Sequence, residues 1–178
     1  MSEAARPGGN RRIDEVLSPG FAEGLEGLDD AEVRRRRDLS RAERDYLSLL
    51  RRLVQGRIEI LRAEQERRRT GTDSAPVVER LGDILAEETR GTSRGEAPVM
   101  TLSADEVALA RRRVERLVSD THLSNLDALS DRDLEDSLAR LEEEERAVSD
   151  TRGSVMGAHD ALQEDMKRRL RAELGPAT

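Results

Sequence analysis

From Leu134 to Leu170 the chain repeats a four-three spacing almost without a break through Leu134, Leu138, Leu141, Glu145, Val148, Arg152, Val155, His159, Leu162, Met166 and Leu170. A straight α-helix carries residues so spaced along one narrow stripe, the seam of a coiled coil. Glu145, Arg152 and His159 stand where a plain coiled coil takes Leu or Ile. A charge in a seam costs free energy unless something pairs with it, so the stripe predicts either a partner helix or a polar ligand opposite these residues.

A shift of 101 residues superposes a second stretch on this one. Leu25 to Asp30 falls on Leu126 to Asp131, and Val33, Leu47, Ser48, Arg51, Val54, Gly56 and Leu61 fall on Leu134, Val148, Ser149, Arg152, Val155, Gly157 and Leu162. The matches keep both the helix start and the apolar face, as expected of one unit used twice.

Composition narrows the architecture further. With 39% charged residues and only Phe21 and Tyr46 aromatic in 178 residues, apolar side chains are confined to stripes, and long helices are the economical way to bury them. The formal net charge of -7 argues against wholesale binding to duplex DNA, and the runs Arg34 to Arg37, Arg67 to Arg69 and Arg111 to Arg113 read as solvated helix faces. Without cysteine there is neither a disulfide framework nor a thiolate metal site, and His122 and His159 are too few for a histidine one. No apolar run approaches a signal-peptide core or a membrane span, so the expected location is the cytoplasm. No Gly-rich phosphate loop or nucleophile elbow appears, and no enzyme is expected.

Residues 1–15 read as a flexible tail, and 16–178 as a single helical coiled-coil domain. Asp29 followed by Glu32 has the spacing of a capping box, predicting a first long helix over 29–69 that Thr70 to Asp73 end. Ser74 and Pro76 open a short helix closed by Gly91, and residues 91–100 form a linker. Ser103 with Glu106 caps a second short helix, and Ser130 with Asp133 caps the second long one, over 130–173. The expected fold is all-α, an antiparallel coiled coil of two long helices with two shorter connecting helices. Glycines at the matching positions 56 and 157, unfavourable in mid-helix by about 1 kcal/mol each against Ala, suggest room for a ligand or a close helix.

The polar residues of the seam form a ladder. In the second copy it runs Glu145, Ser149, Arg152, Met156, Asp160; in the first, at identical spacing, Arg44, Ser48, Arg51, Gln55, Glu59. Helical geometry puts each set on one face. An antiparallel twofold pairing would set Arg51 near Arg152, Glu59 near Glu145 and Arg44 near Asp160. Two facing guanidiniums call for an anion between them, and the flanking carboxylates could read the N–H groups of guanine.

The spacing Glu-x3-Ser-x2-Arg-x3-Gln-x3-Asp, present twice on long helices, resembles the cyclic di-GMP-binding signature of the RsiG family of actinobacterial anti-sigma factors. The flanking stretches Leu53 to Arg62 and Thr121 to Ser130 are similar to that family too, and the resemblance covers roughly Val16 to Glu173. It implies a coiled coil whose two motif copies clasp a dimer of cyclic di-GMP, the loaded protein then sequestering the flagellar-type sporulation sigma factor WhiG. Carried over by position, Ser48, Arg51, Gln55, Glu145, Ser149, Arg152 and Asp160 match the signature. Glu59 replaces Asp, Arg44 stands where Glu is expected, and Met156 where Gln is expected. No metal, membrane or direct DNA contact is implied. The other reading open at this point is a ligand-independent coiled-coil adaptor, or a relative that keeps sigma binding without nucleotide control.

Overall fold

The computed structural model describes residues 11–71, 102–119, 122–123 and 125–174. The expected short helix after Pro76, most of the N-terminal tail and the linker at 91–100 lie outside them. Among the described residues the chain is all-α, with helices α1 (Arg12–Val16), α2 (Asp30–Thr70), α3 (Ala104–Glu115) and α4 (Asp131–Leu174), and 3-10 turns at Leu25–Gly27 and Leu126–Ala128.

The long helices begin and end within a residue or so of where their caps put them. Asp29 Oδ1 accepts the Glu32 amide at 2.8 Å, while the Glu32 carboxylate turns instead to Arg35 and Arg36, each at 2.8 Å. Ser130 Oγ accepts the Asp133 amide at 3.1 Å and donates to the Asp133 carboxylate at 2.6 Å. The Ser103 box at the start of α3 is complete in both directions. Gly71, with φ +62°, takes the left-handed conformation that closes α2 and returns its amide to the Arg67 carbonyl at 3.1 Å.

The chain divides into two compact units, one of residues 1–47 and 150–178, the other of residues 48–149. In the first unit the start of α2 lies against the end of α4. Asp30 meets Arg169 at 2.8 Å and Ser40 meets His159 at 3.0 Å, so rising numbers on one helix face falling numbers on the other and the pair is antiparallel. Val33, Leu47, Val155 and Leu162 are buried between them. The lead-in closes over this seam with Val16, Phe21 and Leu25, and Arg12 donates to Glu43 at 2.6 Å. Arg36 holds the lead-in from below, donating to the Phe21 carbonyl at 2.8 Å with its guanidinium 5.7 Å from the Phe21 ring centroid.

In the second unit the end of α2 lies against the start of α4, again antiparallel, with Arg51 on Glu145 and Arg68 on Asp131 at 2.8 and 2.6 Å. Leu50, Val54, Leu61, Leu134, Leu141 and Val148 fill the seam, and α3 adds Ala110 and Val114. Arg113 reaches Glu144 at 2.7 Å and Arg57 reaches Glu115 at 3.4 Å.

Each unit therefore combines the start of one copy with the end of the other, and the repeat is deeper than its identities suggest. The two 3-10 turns and both long-helix starts are separated by the same 101 residues, and the pair Arg12–Glu43 reappears as Arg113–Glu144. A second correspondence lies at the helix ends. Glu64, 2% exposed, takes Arg67 at 2.7 Å and Arg68 at 2.6 Å, and Arg68 donates on to the Leu126 carbonyl at 2.7 Å. In the other unit Asp165, 5% exposed, takes Arg168 and Arg169, and Arg169 donates to the carbonyls of Leu25 and Leu28. A buried carboxylate thus aims an arginine at the carbonyls of the turn preceding the opposite helix.

The predicted stripe is buried at Leu134, Leu141, Val148, Val155 and Leu162, with Leu138 only half-buried, but fails at its end: Leu170 is 55% exposed. The spacing itself breaks there, to four and four from Leu162 through Met166 to Leu170, and the opposite helix starts only at Asp30, level with Arg169, so little of it remains to cover Leu170. At Gly56 and Gly157 no atom beyond the adjoining residues and the helix's own backbone lies within 4 Å of where a Cβ would stand. Close helix approach is thus not what requires either glycine.

Candidate functional site

The ladder residues fall into two groups, one in each unit. In the unit of residues 48–149, both copies contribute to one polar cluster. Arg51 Nε, Gln55 Nε2 and Ser149 Oγ all donate to Glu145 Oε1, at 2.8, 3.2 and 3.1 Å. The first two come from α2 and the last two residues from α4, so the cluster exists only because the helices run antiparallel in this register. The Arg51 hydrogen bond leads the forces holding the Glu145 carboxyl below its ordinary value; Ser149, the Arg51 charge and Gln55 add to it, and burial opposes them. Glu145 is an acceptor at neutral pH.

Beside the cluster opens a groove of about 430 Å³, lined by Gln55, Glu59 and Glu145 from the ladder together with Ile58, Arg62, Glu142 and Arg146. Glu59 and Glu145 thus share one groove. Ser48 is half-buried in the same unit. Arg51 keeps 40% of its side chain exposed, so its guanidinium can leave Glu145 for an incoming anion without crossing the core. Carboxylate, amide and guanidinium around a concave surface can between them accept from N–H donors and donate to neutral or anionic acceptors.

Arg62, Glu142 and Arg146 were not singled out by the spacing. Arg62 lies one turn beyond Glu59 on the same face and pairs with Glu142 at 2.8 Å; Glu142 lies one turn before Glu145. Extending the ladder by a turn at its acidic ends would have found the first two. Arg146 follows a seam residue directly and leaves no periodic signal.

The other unit holds Arg44, Arg152, Met156 and Asp160. Arg44 donates from Nε and an Nη to Asp45 Oδ1 at 3.1 and 2.8 Å. Arg152 and Met156 are half-buried and Asp160 is exposed. His159, between the last two, is buried and bonded at both ring nitrogens. Ser40 Oγ spends its proton on the Arg37 carbonyl at 2.8 Å, so it accepts from His159 Nδ1–H at 3.0 Å, and Nε2 is left to accept from the Gln163 amide at 3.2 Å.

Every polar atom of the neutral imidazole is matched, and the charged form is disfavoured. Burial is the main cause of the lowered His159 pKa; Arg44 and Arg37 push the same way, while the Arg37 backbone and Asp160 oppose them. A histidine depressed below its ordinary 6.5 contributes stability above that pH and loses it as the pH falls toward the folded-state value. The thermal midpoint should fall between about pH 7 and about pH 5, and His159→Leu should flatten that part of the profile. Equal loss in both proteins would show that the buried imidazole is not the cause.

Among the described residues no group of three or more His, Cys, Asp or Glu could hold a metal ion, and no helix is long and apolar enough to cross a membrane. Within each unit the described residues form an antiparallel helix pair that carries part of the polar ladder. Residues 19–85 match the model of the RsiG-like family. The match spans the first copy of the repeat. No curated protein matches the chain.

Proposed function

We propose that this protein is a cytoplasmic anti-sigma factor gated by cyclic di-GMP, which it binds as a dimer between its long helices so as to sequester a WhiG-type, flagellar-like sporulation sigma factor. The observation that carries the reading is the cluster on Glu145, in which groups from both motif copies surround one carboxylate beside an open groove. A guanine edge supplies N1–H and N2–H donors for Glu145 or Glu59 and acceptors for Gln55, and displaced arginine meets phosphate. Arg44, Ser48, Arg51, Gln55 and Glu59 act from the first copy, and Glu145, Ser149, Arg152, Met156 and Asp160 from the second. Ligand binding would then stiffen the helix pair into the surface that sigma recognises.

One observation favours the ligand-independent adaptor instead: Glu145 already neutralises Arg51, so this cluster does not need a guest to be stable. Titration of cyclic di-GMP by calorimetry, alone and with a purified flagellar-type sigma factor, separates the two. The gated reading expects saturable binding and a sigma complex that forms only with nucleotide. A complex of equal affinity without nucleotide would establish the adaptor.

A further inference from the structure

The repeat invites a comparison of the two ladder groups position by position. Advancing one copy by 101 residues and setting the other back by the same amount carries Arg51, Gln55, Glu59 and Glu145 onto Arg152, Met156, Asp160 and Arg44. The first set, in the unit of residues 48–149, offers two carboxylates, an amide and one guanidinium. The second, in the other unit, offers one carboxylate, a thioether and two guanidiniums.

The change at position 44 is decisive. In the first set the arginine has the carboxylate of Glu145 at 2.8 Å, and Gln55 is bonded to that same oxygen. In the second, the residue equivalent to Glu145 is itself an arginine, held by its sequence neighbour Asp45. A guanidinium has no acceptor, so it cannot receive guanine N1–H or N2–H, and Met156 supplies neither half of the amide pair that Gln55 does. The second set keeps the chemistry for phosphate while losing most of the chemistry for the N1–H and N2–H edge of the base.

We infer that the two half-sites are unequal, the Glu145–Gln55–Glu59 set reading guanine and the Arg44–Arg152 set holding phosphate with little regard for the base. This rests on the cyclic di-GMP reading and sharpens it: base selectivity belongs to one unit, although both contribute affinity. A single carboxylate should then control discrimination between guanine and adenine nucleotides.

The test is the ratio of dissociation constants for cyclic di-AMP and cyclic di-GMP, measured on the full chain with helicity checked by circular dichroism. Glu145→Gln should cut that ratio by roughly tenfold or more, as expected when a charged acceptor for a base donor is lost. Arg152→Ala should weaken both nucleotides together and leave the ratio within about threefold, because phosphate contacts carry no base information. The double variant Arg44→Glu, Met156→Gln rebuilds the second half-site and should raise the ratio. Equal loss of discrimination in Glu145→Gln and Arg152→Ala, or no gain in the double variant, overturns the inequality while leaving nucleotide binding in place. No binding of either nucleotide by the natural chain or the double variant removes the nucleotide reading itself and the inference with it.

Discussion

Arg51→Ala should abolish measurable binding of cyclic di-GMP while leaving the helical content unchanged. Arg51 is the member of the cluster that can both release Glu145 to the base and follow the negative charge, and hydrogen bonds to charged groups are worth about 1.5–3 kcal/mol each. Losing two such contacts weakens binding on the order of a hundredfold or more, since each 1.4 kcal/mol or so is a factor of about ten. The fold should tolerate the change because the Arg51 side chain is 40% exposed, and Gln55 and Ser149 still satisfy Glu145. Calorimetry on Arg51→Ala and Arg152→Ala decides it, and unaltered binding in both would dismiss the site.

The second large effect is on stability. Arg68→Ala takes one of two arginine partners from the buried Glu64 carboxylate and removes the donor to the Leu126 carbonyl, at 2.6 and 2.7 Å. Its contact with Asp131 counts for little, because that carboxylate is 82% exposed. Breaking a buried pair by deleting one partner costs about 3–5 kcal/mol. Since Arg67 remains on Glu64 at 2.7 Å, about 3 kcal/mol is expected, read as a lower denaturation midpoint in urea. Arg169→Ala should behave alike in the other unit, where it serves Asp165, Leu25 and Leu28. A change below about 0.5 kcal/mol in both, the level of an ordinary surface substitution, would mean that the clamps do not hold the helix ends.

These clamps illustrate where sequence reading stops. Glu64 and Asp165 correspond under the repeat, as do Arg68 and Arg169, yet nothing in a chain so rich in Arg and Glu marks them among the other acid-arginine pairs one turn apart. Their burial is imposed by the turn of the opposite copy arriving beneath them. The same holds for Arg12–Glu43 and Arg113–Glu144, whose shared spacing becomes visible only once each pair is seen in contact.

The site was legible to a similar depth. Spacing put Arg51, Gln55, Glu145 and Ser149 on inward faces, and the contacts at Glu145 are of the kind that polar seam residues require. That Arg51 would rest on Glu145 was not visible. A stripe says which way a side chain points but not which of several opposite charges it will meet, and the answer depends on a register set by packing elsewhere. Arg146 at the groove belongs to that undetermined part.

Taken alone, the amino-acid sequence determined the two copies, the limits of both long helices, and the faces that carry their apolar and polar residues. Those are local properties, fixed by capping side chains and by a period that any isolated helix obeys. Only the tertiary structure decided which carboxylate each arginine serves, which acids are buried and where the groove opens. The cause is that pairing among many similar charges is nearly degenerate until hydrophobic burial sets the register of antiparallel helices, and that register is a property of the two helices together.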